Sequence, residues 1–341
     1  MSQFSIARSV PLALHTTLQV GGNAEYFTEV SDSDALQAAV VWAKEQALSV
    51  TILGGGSNVL VADAGISGLV IKIVGGSCTY EESVANTVHV HAAAGMLLDD
   101  LVADTVARGY WGLENLSHIP GTVGAAPVQN VGAYGVELSD VIKQVTVFDL
   151  VTKQVEEWLA ADCEFGYRQS RFKQRDQGRY VITQVTIQLQ TTPQPRLQYG
   201  ALKELMAVPN LDPSVIRQKV IAIRAGKFPN WRQVGTAGSF FMNPSVSATK
   251  AQSLRMQYPE LPMYENLDGT VKVSLGWLLD HVCGLRGYRT GAVGLHTEQA
   301  LVLVQYGGGS TSEVDRFATM VADTVFSKTG ITITREVTAL P

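Results

Sequence analysis

The chain has 341 residues, 46% hydrophobic and 17% charged, which describes a globular protein with a sizeable core in two or three domains. A net charge of −5 argues against a nucleic-acid surface. Cys78, Cys163 and Cys283 are odd in number and widely spaced, so no disulfide framework or zinc knuckle is implied and a reducing cytoplasm fits.

Arg8 followed by Ser9–Leu14 mimics a signal peptide only faintly, because Pro11, His15 and Gln19 break the apolar run. No segment approaches the ~18 apolar residues of a membrane span. Residues 31–48 read as an amphipathic helix, with Leu36, Ala39, Val40, Ala43 and Ala47 on one face and Ser31 or Ser33 as cap. Residues 50–53 read as a strand that runs into Gly54-Gly55-Gly56-Ser57-Asn58, and strand-like 59–61 and 68–73 follow. A Rossmann turn or a P-loop needs a helix straight after its glycines. Here a strand follows, so phosphate binding by this turn would rest on a nest of N–H groups with Ser57 and Asn58 adding donors; a plain turn is the simpler alternative.

Residues 87–93 alternate Val88, Val90 and Ala92 against His89 and His91, a polar strand face without a third metal ligand nearby. Residues 96–108 read as a helix with Gly109 past its end. The stretch that follows, Leu113 to Gly135, has no Asp, Glu, Lys or Arg between Glu114 and Glu137 and carries Gly121, Gly124, Gly132 and Gly135. Neutral, small and punctuated, it suits backbone packed around a ligand as well as it suits a buried connection.

Residues 141–150, 154–159 and 180–190 read as strands. Between them Arg168, Arg171, Lys173, Arg175 and Arg179 form a basic cluster, either a solvated turn or an anion site that uses the arginine fork. Residues 191–195 resemble a linker, after which the pattern becomes α/β: helices over 214–225, 274–283 and 310–328, the last with a Ser310/Glu313 capping box and a Gly330 stop, and strands over 300–304 and 331–337. In Gly235–Pro244, Ser239 lies between Gly238 and two phenylalanines, either a positioned hydroxyl or a turn entering a strand. No G-x-S-x-G elbow supports a serine hydrolase.

ILGGGSNVL, GLENLSHIPGTVGAAPVQNVGAYGVEL, CEFGYRQSRFK, RLQYGAL, GTAGSFFMNP and TREV occur in this order, and together they resemble the UDP-N-acetylenolpyruvoylglucosamine reductase family, the match spanning Thr16 to Val337. RLQYGAL resembles the subtype with a tyrosine loop over the substrate. The resemblance implies an α+β fold: an FAD-binding domain of the vanillyl-alcohol-oxidase (PCMH) type in two subdomains, residues 1–72 and 73–226 with linker and tyrosine loop at 191–213. A separate α/β substrate-binding domain at 227–330 follows, and a C-terminal strand at 331–341 returns to the active site. It implies NADPH-dependent reduction of enolpyruvyl-UDP-N-acetylglucosamine to UDP-N-acetylmuramate via non-covalent FAD, in peptidoglycan precursor synthesis, by a cytoplasmic monomer acting on small molecules, without metal, membrane or nucleic acid.

By the same matching, Arg168, Ser239 and Glu336 are catalytic, arginine and glutamate at the substrate carboxylate and serine as proton donor. Gly54, Gly55, Gly56, Ser57, Asn58, Asn115, Ile119, Pro120, Gly121, Gly124, Gln129 and Gly132 are implied FAD contacts. Tyr167, Tyr199, Lys227, Asn243 and Gln299 are implied substrate contacts. Relatives of the subtype continue past the glutamate, whereas this chain stops at Pro341, so Glu336 is expected to be less firmly held. Two alternatives remain: an oxidase of the same fold, against which Tyr199, Lys227 and Gly235–Pro244 argue, and a nucleotide-binding module without turnover.

Overall fold

The computed structural model describes residues 5–82 and 86–341. The chain divides into two compact units. One takes the chain up to Val10 with Ala24–Gly56 and Ser67–Arg224; the other is assembled from Pro11–Asn23, Ser57–Ile66 and Ala225–Pro341.

The first unit holds two sheets. The four-stranded sheet runs in the order Ala7–Pro11, Asn23–Val30, Ile66–Ile73, Val50–Leu53, its last pair parallel with Val50 beside Leu69. Helix α1 (Ser33–Glu45) covers it through Ala35, Leu36, Ala39, Val40 and Ala43, which meet Leu69 and Ile71 in one core. Its cap is Asp32, whose Oδ1 accepts Ala35 N at 2.8 Å, instead of either neighbouring serine. The second sheet is antiparallel throughout, in the order Val155–Leu159, Ile142–Asp149, Tyr180–Gln190, Thr87–Ala93, Cys78–Glu82. Its buried face packs on helix α2 (Leu98–Ala107). The other face of Thr87–Ala93 carries the two histidines, which bond across the sheet: His89 to Gln188 at 3.3 Å and His91 to Thr186 at 3.0 Å. Helix α3 (Pro213–Ala225) closes the unit, packing Ile216 and Val220 on Trp111, Leu197, Leu202 and Leu205.

The second unit has a four-stranded antiparallel sheet in the order Gly235–Ser239, Val302–Gln305, Val293–Leu295, Arg289–Thr290, and a three-stranded one formed by Ser245–Val246, Val271–Val273 and Met263–Glu265. Helix α4 is Ala248–Gln257. The helix expected over 274–283 is a short α5 (Leu275–Trp277) that widens into a π-turn at Leu278–Val282. Helix α6 (Thr311–Thr329) has the capping box of Ser310 with Glu313 and ends on Gly330 in the left-handed region. It lays Val314, Phe317, Val321 and Val325 into the unit's core.

The strand expected over 331–337 is not one. Ile331, Ile333 and Val337 are buried and alternate with exposed threonines, but the segment ladders only through Arg335 opposite Phe241. Period-two alternation reports one-sided burial, which an extended segment has with or without a partner strand. The true strand is Thr338–Leu340, parallel to Val59–Val61.

Candidate active site

In the first unit, the glycine turn and the central stretch lie back to back. A Cβ added at Gly54 would come within 2.8 Å of Thr122 Oγ1, and one at Gly55 within 2.8 Å of Gly121 Cα, so neither position has room for a side chain. The central stretch is fixed from beneath by main-chain bonds: Leu98 N to Gly121 O at 3.0 Å, Val123 N to Met96 O and Gly124 N to Ala94 O at 2.9 Å. Ile119 packs on the core of the second sheet, and Pro120 and Gln129 are half-buried.

Asn115 is fully buried and splits its amide between the carbonyls of Tyr134 at 2.8 Å and Arg196 at 2.9 Å. Its Oδ1 is buried with no hydrogen-bond partner in the protein. A buried amide oxygen without a partner suits a cofactor that brings a hydrogen-bond donor, and abutting glycine main chains suit one that needs close backbone approach; a flavin dinucleotide meets both demands.

A further clamp was not legible in the sequence. His118 has φ +60; its N donates to Asp99 Oδ1 at 2.5 Å and its carbonyl accepts from Arg224 Nε at 3.0 Å. Arg217 grips Asp99 with both arms, at 2.5 and 3.1 Å. Burial alone would raise the Asp99 pKa, but these hydrogen bonds and the Arg217 charge outweigh it and hold the carboxyl below its usual range. The partners sit on α2 and α3, and no local pattern connects them to residue 118.

The basic cluster is mostly spent inside the unit. Arg171 bonds Asp176 at 2.6 Å, Arg175 pairs with Glu164 at 2.5 Å, and Arg179 bonds Asp149 at 2.7 Å. The Arg179 guanidinium, with main-chain N–H groups from Val151 and Thr152, pulls the fully buried Asp149 down to about 2. Arg168 differs: its φ is +57, and its guanidinium donates to carbonyls, Gly132 O at 2.8 Å and Asn130 O at 3.4 Å, on a turn where Gly166 and Gln169 exchange both main-chain bonds. Tyr167 beside it is exposed, with the guanidinium carbon 5.4 Å from its ring centre. Tyr199 is exposed at the start of Gly200–Ala207, its ring edge-on to Tyr134 at 5.9 Å.

In the second unit, the segments that carry Ser239 and Glu336 meet. Ser239 ends the first strand of its sheet after a bulge at Gly238 (φ +74). The next residue, Phe240, accepts Glu336 N at 2.9 Å, while Phe240 and Phe241 are core. Asn58 joins them: its Nδ2 donates to Glu336 O at 3.3 Å and its carbonyl accepts Thr338 N at 3.0 Å. The loose hold expected on Glu336 from the stop at Pro341 is therefore not seen; a parallel strand follows it directly and both its main-chain groups are bonded. Asn243 spends its Oδ1 on Leu275 N at 3.0 Å, capping α5, and Gln299 Oε1 lies close over Gly276. Lys227 is exposed. Among the described residues no cluster of His, Cys, Asp or Glu is placed to hold a metal, and no helix is long and apolar enough to cross a membrane.

Residues 24–156 match the model of an FAD binding domain, and residues 230–340 match the C-terminal domain of UDP-N-acetylenolpyruvoylglucosamine reductase. The chain is 41% identical to the UDP-N-acetylenolpyruvoylglucosamine reductase of Alcanivorax borkumensis, over 95% of this chain and 93% of that one. It is 41% identical to that of Neisseria meningitidis serogroup B, over 97% and 96%. Among solved structures, the reductase of Thermus caldophilus matches with a TM-score of 0.70 at 24% identity over 99% of both chains, a likeness of fold. The α+β class and a flavin domain followed by a separate C-terminal domain are those expected from the resemblance. The chain belongs to the UDP-N-acetylenolpyruvoylglucosamine reductase family and is an FAD-dependent oxidoreductase.

Proposed function

We propose that this protein reduces enolpyruvyl-UDP-N-acetylglucosamine to UDP-N-acetylmuramate with NADPH, in peptidoglycan precursor synthesis, and that Arg168, Ser239 and Glu336 carry the chemistry. The observation that supports the assignment of roles is the main-chain junction, Glu336 N to Phe240 O, that joins the segments carrying Ser239 and Glu336 from positions nearly a hundred residues apart. Bound FAD supplies the hydride exchange between NADPH and the enolpyruvyl double bond. The Gly54–Asn58 turn, Asn115, Ile119, Pro120, Gly121, Gly124, Gln129 and Gly132 would hold it, with main-chain groups where side chains cannot fit at Gly54 and Gly55.

The protein's own residues handle charge and a proton. As the double bond is reduced, negative charge spreads into the substrate carboxylate. The Arg168 fork offers it two N–H groups and Glu336 a hydrogen-bonding acid; losing one such preorganised donor costs about 10²–10³ in rate. Ser239 then gives its hydroxyl proton to the α-carbon. A serine hydroxyl is a weak acid, so its contribution rests on placement, and general acid catalysis is worth about 10²–10⁴. Tyr167, Tyr199, Lys227, Asn243 and Gln299 are the substrate contacts of this reading. The exposed Lys227 suits a pyrophosphate, and Asn243, its oxygen used in capping, has its Nδ2 to offer. This reading takes the protein as a cytoplasmic monomer, and its three free cysteines suit a reducing compartment.

Stopped-flow absorbance tests the reading. NADPH should bleach the flavin bands, and the enolpyruvyl nucleotide, without oxygen, should restore them. Recovery that depends on oxygen alone would favour the oxidase alternative, and a colourless protein the binding module.

A further inference from the structure

Asn130 lies fully buried in the glycine-rich stretch with φ +42, a left-handed conformation that asparagine tolerates better than most residues bearing a Cβ. Its carboxamide makes three hydrogen bonds to two separate segments. Nδ2 donates to Glu137 Oε2 at 2.8 Å and to the Gly166 carbonyl at 3.1 Å, and Oδ1 accepts Ser139 N at 3.0 Å. Gly166 opens the tight turn that carries Arg168. The guanidinium reaches back to the carbonyls of Asn130 and Gly132. The link thus closes on itself, with the Asn130 side chain gripping the Arg168 turn and the Arg168 side chain gripping the Asn130 main chain. Glu137 flanks the same spot: a Cβ on Gly132 would lie 2.9 Å from Glu137 Cγ and 3.2 Å from Arg168 Nη1.

We propose that Asn130, paired with Glu137, is a positioning residue that sets the Arg168 guanidinium where the substrate carboxylate is met; this rests on the reading of Arg168 given above. The chemistry requires an amide. An aspartate could still accept Ser139 N, but it has no donor for Gly166 O, and its charge would face the Glu137 carboxylate. The turn would then shift, and misplacement of a catalytic group by ~1 Å costs about 10²-fold.

The test uses the FAD-loaded enzyme, following flavin reduction by NADPH and reoxidation by the enolpyruvyl nucleotide separately. Asn130→Asp should slow reoxidation about 10²-fold and leave reduction within about threefold. Part of the lost rate should return as pH is lowered, because the two facing carboxyls then share a proton and a donor toward Glu137 is regained. Adding Glu137→Gln to Asn130→Asp reverses donor and acceptor and should recover about tenfold of the loss.

Equal slowing of both half-reactions, or no recovery in the double variant and at low pH, overturns the proposal. If Asn130→Asp does not fold, Asn130→Gly keeps the left-handed backbone without the carboxamide and must show the same split. Arg168→Lys is the control for the underlying reading. If it turns over normally, the role of Arg168 fails; if it is impaired while Asn130→Asp is not, only the positioning role fails.

Discussion

The side-chain amide of Asn58 donates to the main-chain carbonyl of Glu336 at 3.3 Å, tying the end of the glycine turn to the late glutamate. Asn58→Ala removes that donor, worth about 1 kcal/mol. Reoxidation by the enolpyruvyl nucleotide should slow about tenfold, with a Tm drop of about 2–4 °C. The ratio of flavin to protein absorbance separates loss of Glu336 placement from loss of cofactor.

Ser239→Ala should leave flavin reduction by NADPH nearly intact and slow the second half-reaction by about 10²–10⁴. Single-turnover traces of each half measure this directly, and an equal loss in both would remove the proton-donor role.

Gly55→Ala places a methyl group 2.8 Å from Gly121 Cα, a backbone atom that cannot swing aside. The two loops must part, and the variant should purify with much of its FAD missing while keeping its far-ultraviolet circular dichroism. Full flavin occupancy would show that the contact between the turns does not shape the cofactor cradle.

Glu114 is buried, and desolvation raises its pKa despite the bond from Gly112 N at 2.6 Å. An acid raised in the folded state contributes stability that is complete below its unfolded pKa of about 4.3 and is lost as pH rises through the folded value. Glu114→Gln keeps an acceptor for Gly112 without the ionisation. It should therefore gain on the parent protein in thermal melts as pH rises from about 4 to about 8, and a constant difference would contradict the sign.

Elements whose signals are local could be read from the chain. Helix α6 carries its cap, apolar face and stop within its own residues, and it forms as read. The extended 331–337 segment could not be told from a strand, because burial on one side and pairing leave the same alternation. The basic cluster could be read as a solvated turn or an anion site, and neither reading could foresee that Arg179 is bound to Asp149 thirty positions away, a distance at which composition carries no information. For the same reason neither the Asp99–Arg217 clamp on His118 nor the three-way grip of Asn130 had a sequence signal. The candidate residues Arg168, Ser239 and Glu336 were legible through the ordered motifs of a family, and not from their individual surroundings.

Thr338–Leu340 runs parallel to Val59–Val61, nearly three hundred positions earlier. During synthesis, that early strand leaves the ribosome long before its neighbour exists. The second unit, drawn from three separated stretches, can reach its native pairing only once Thr338–Leu340 has been made. Until then an unmatched edge waits in the nascent polypeptide, which makes Thr338–Leu340 a poor segment to remove.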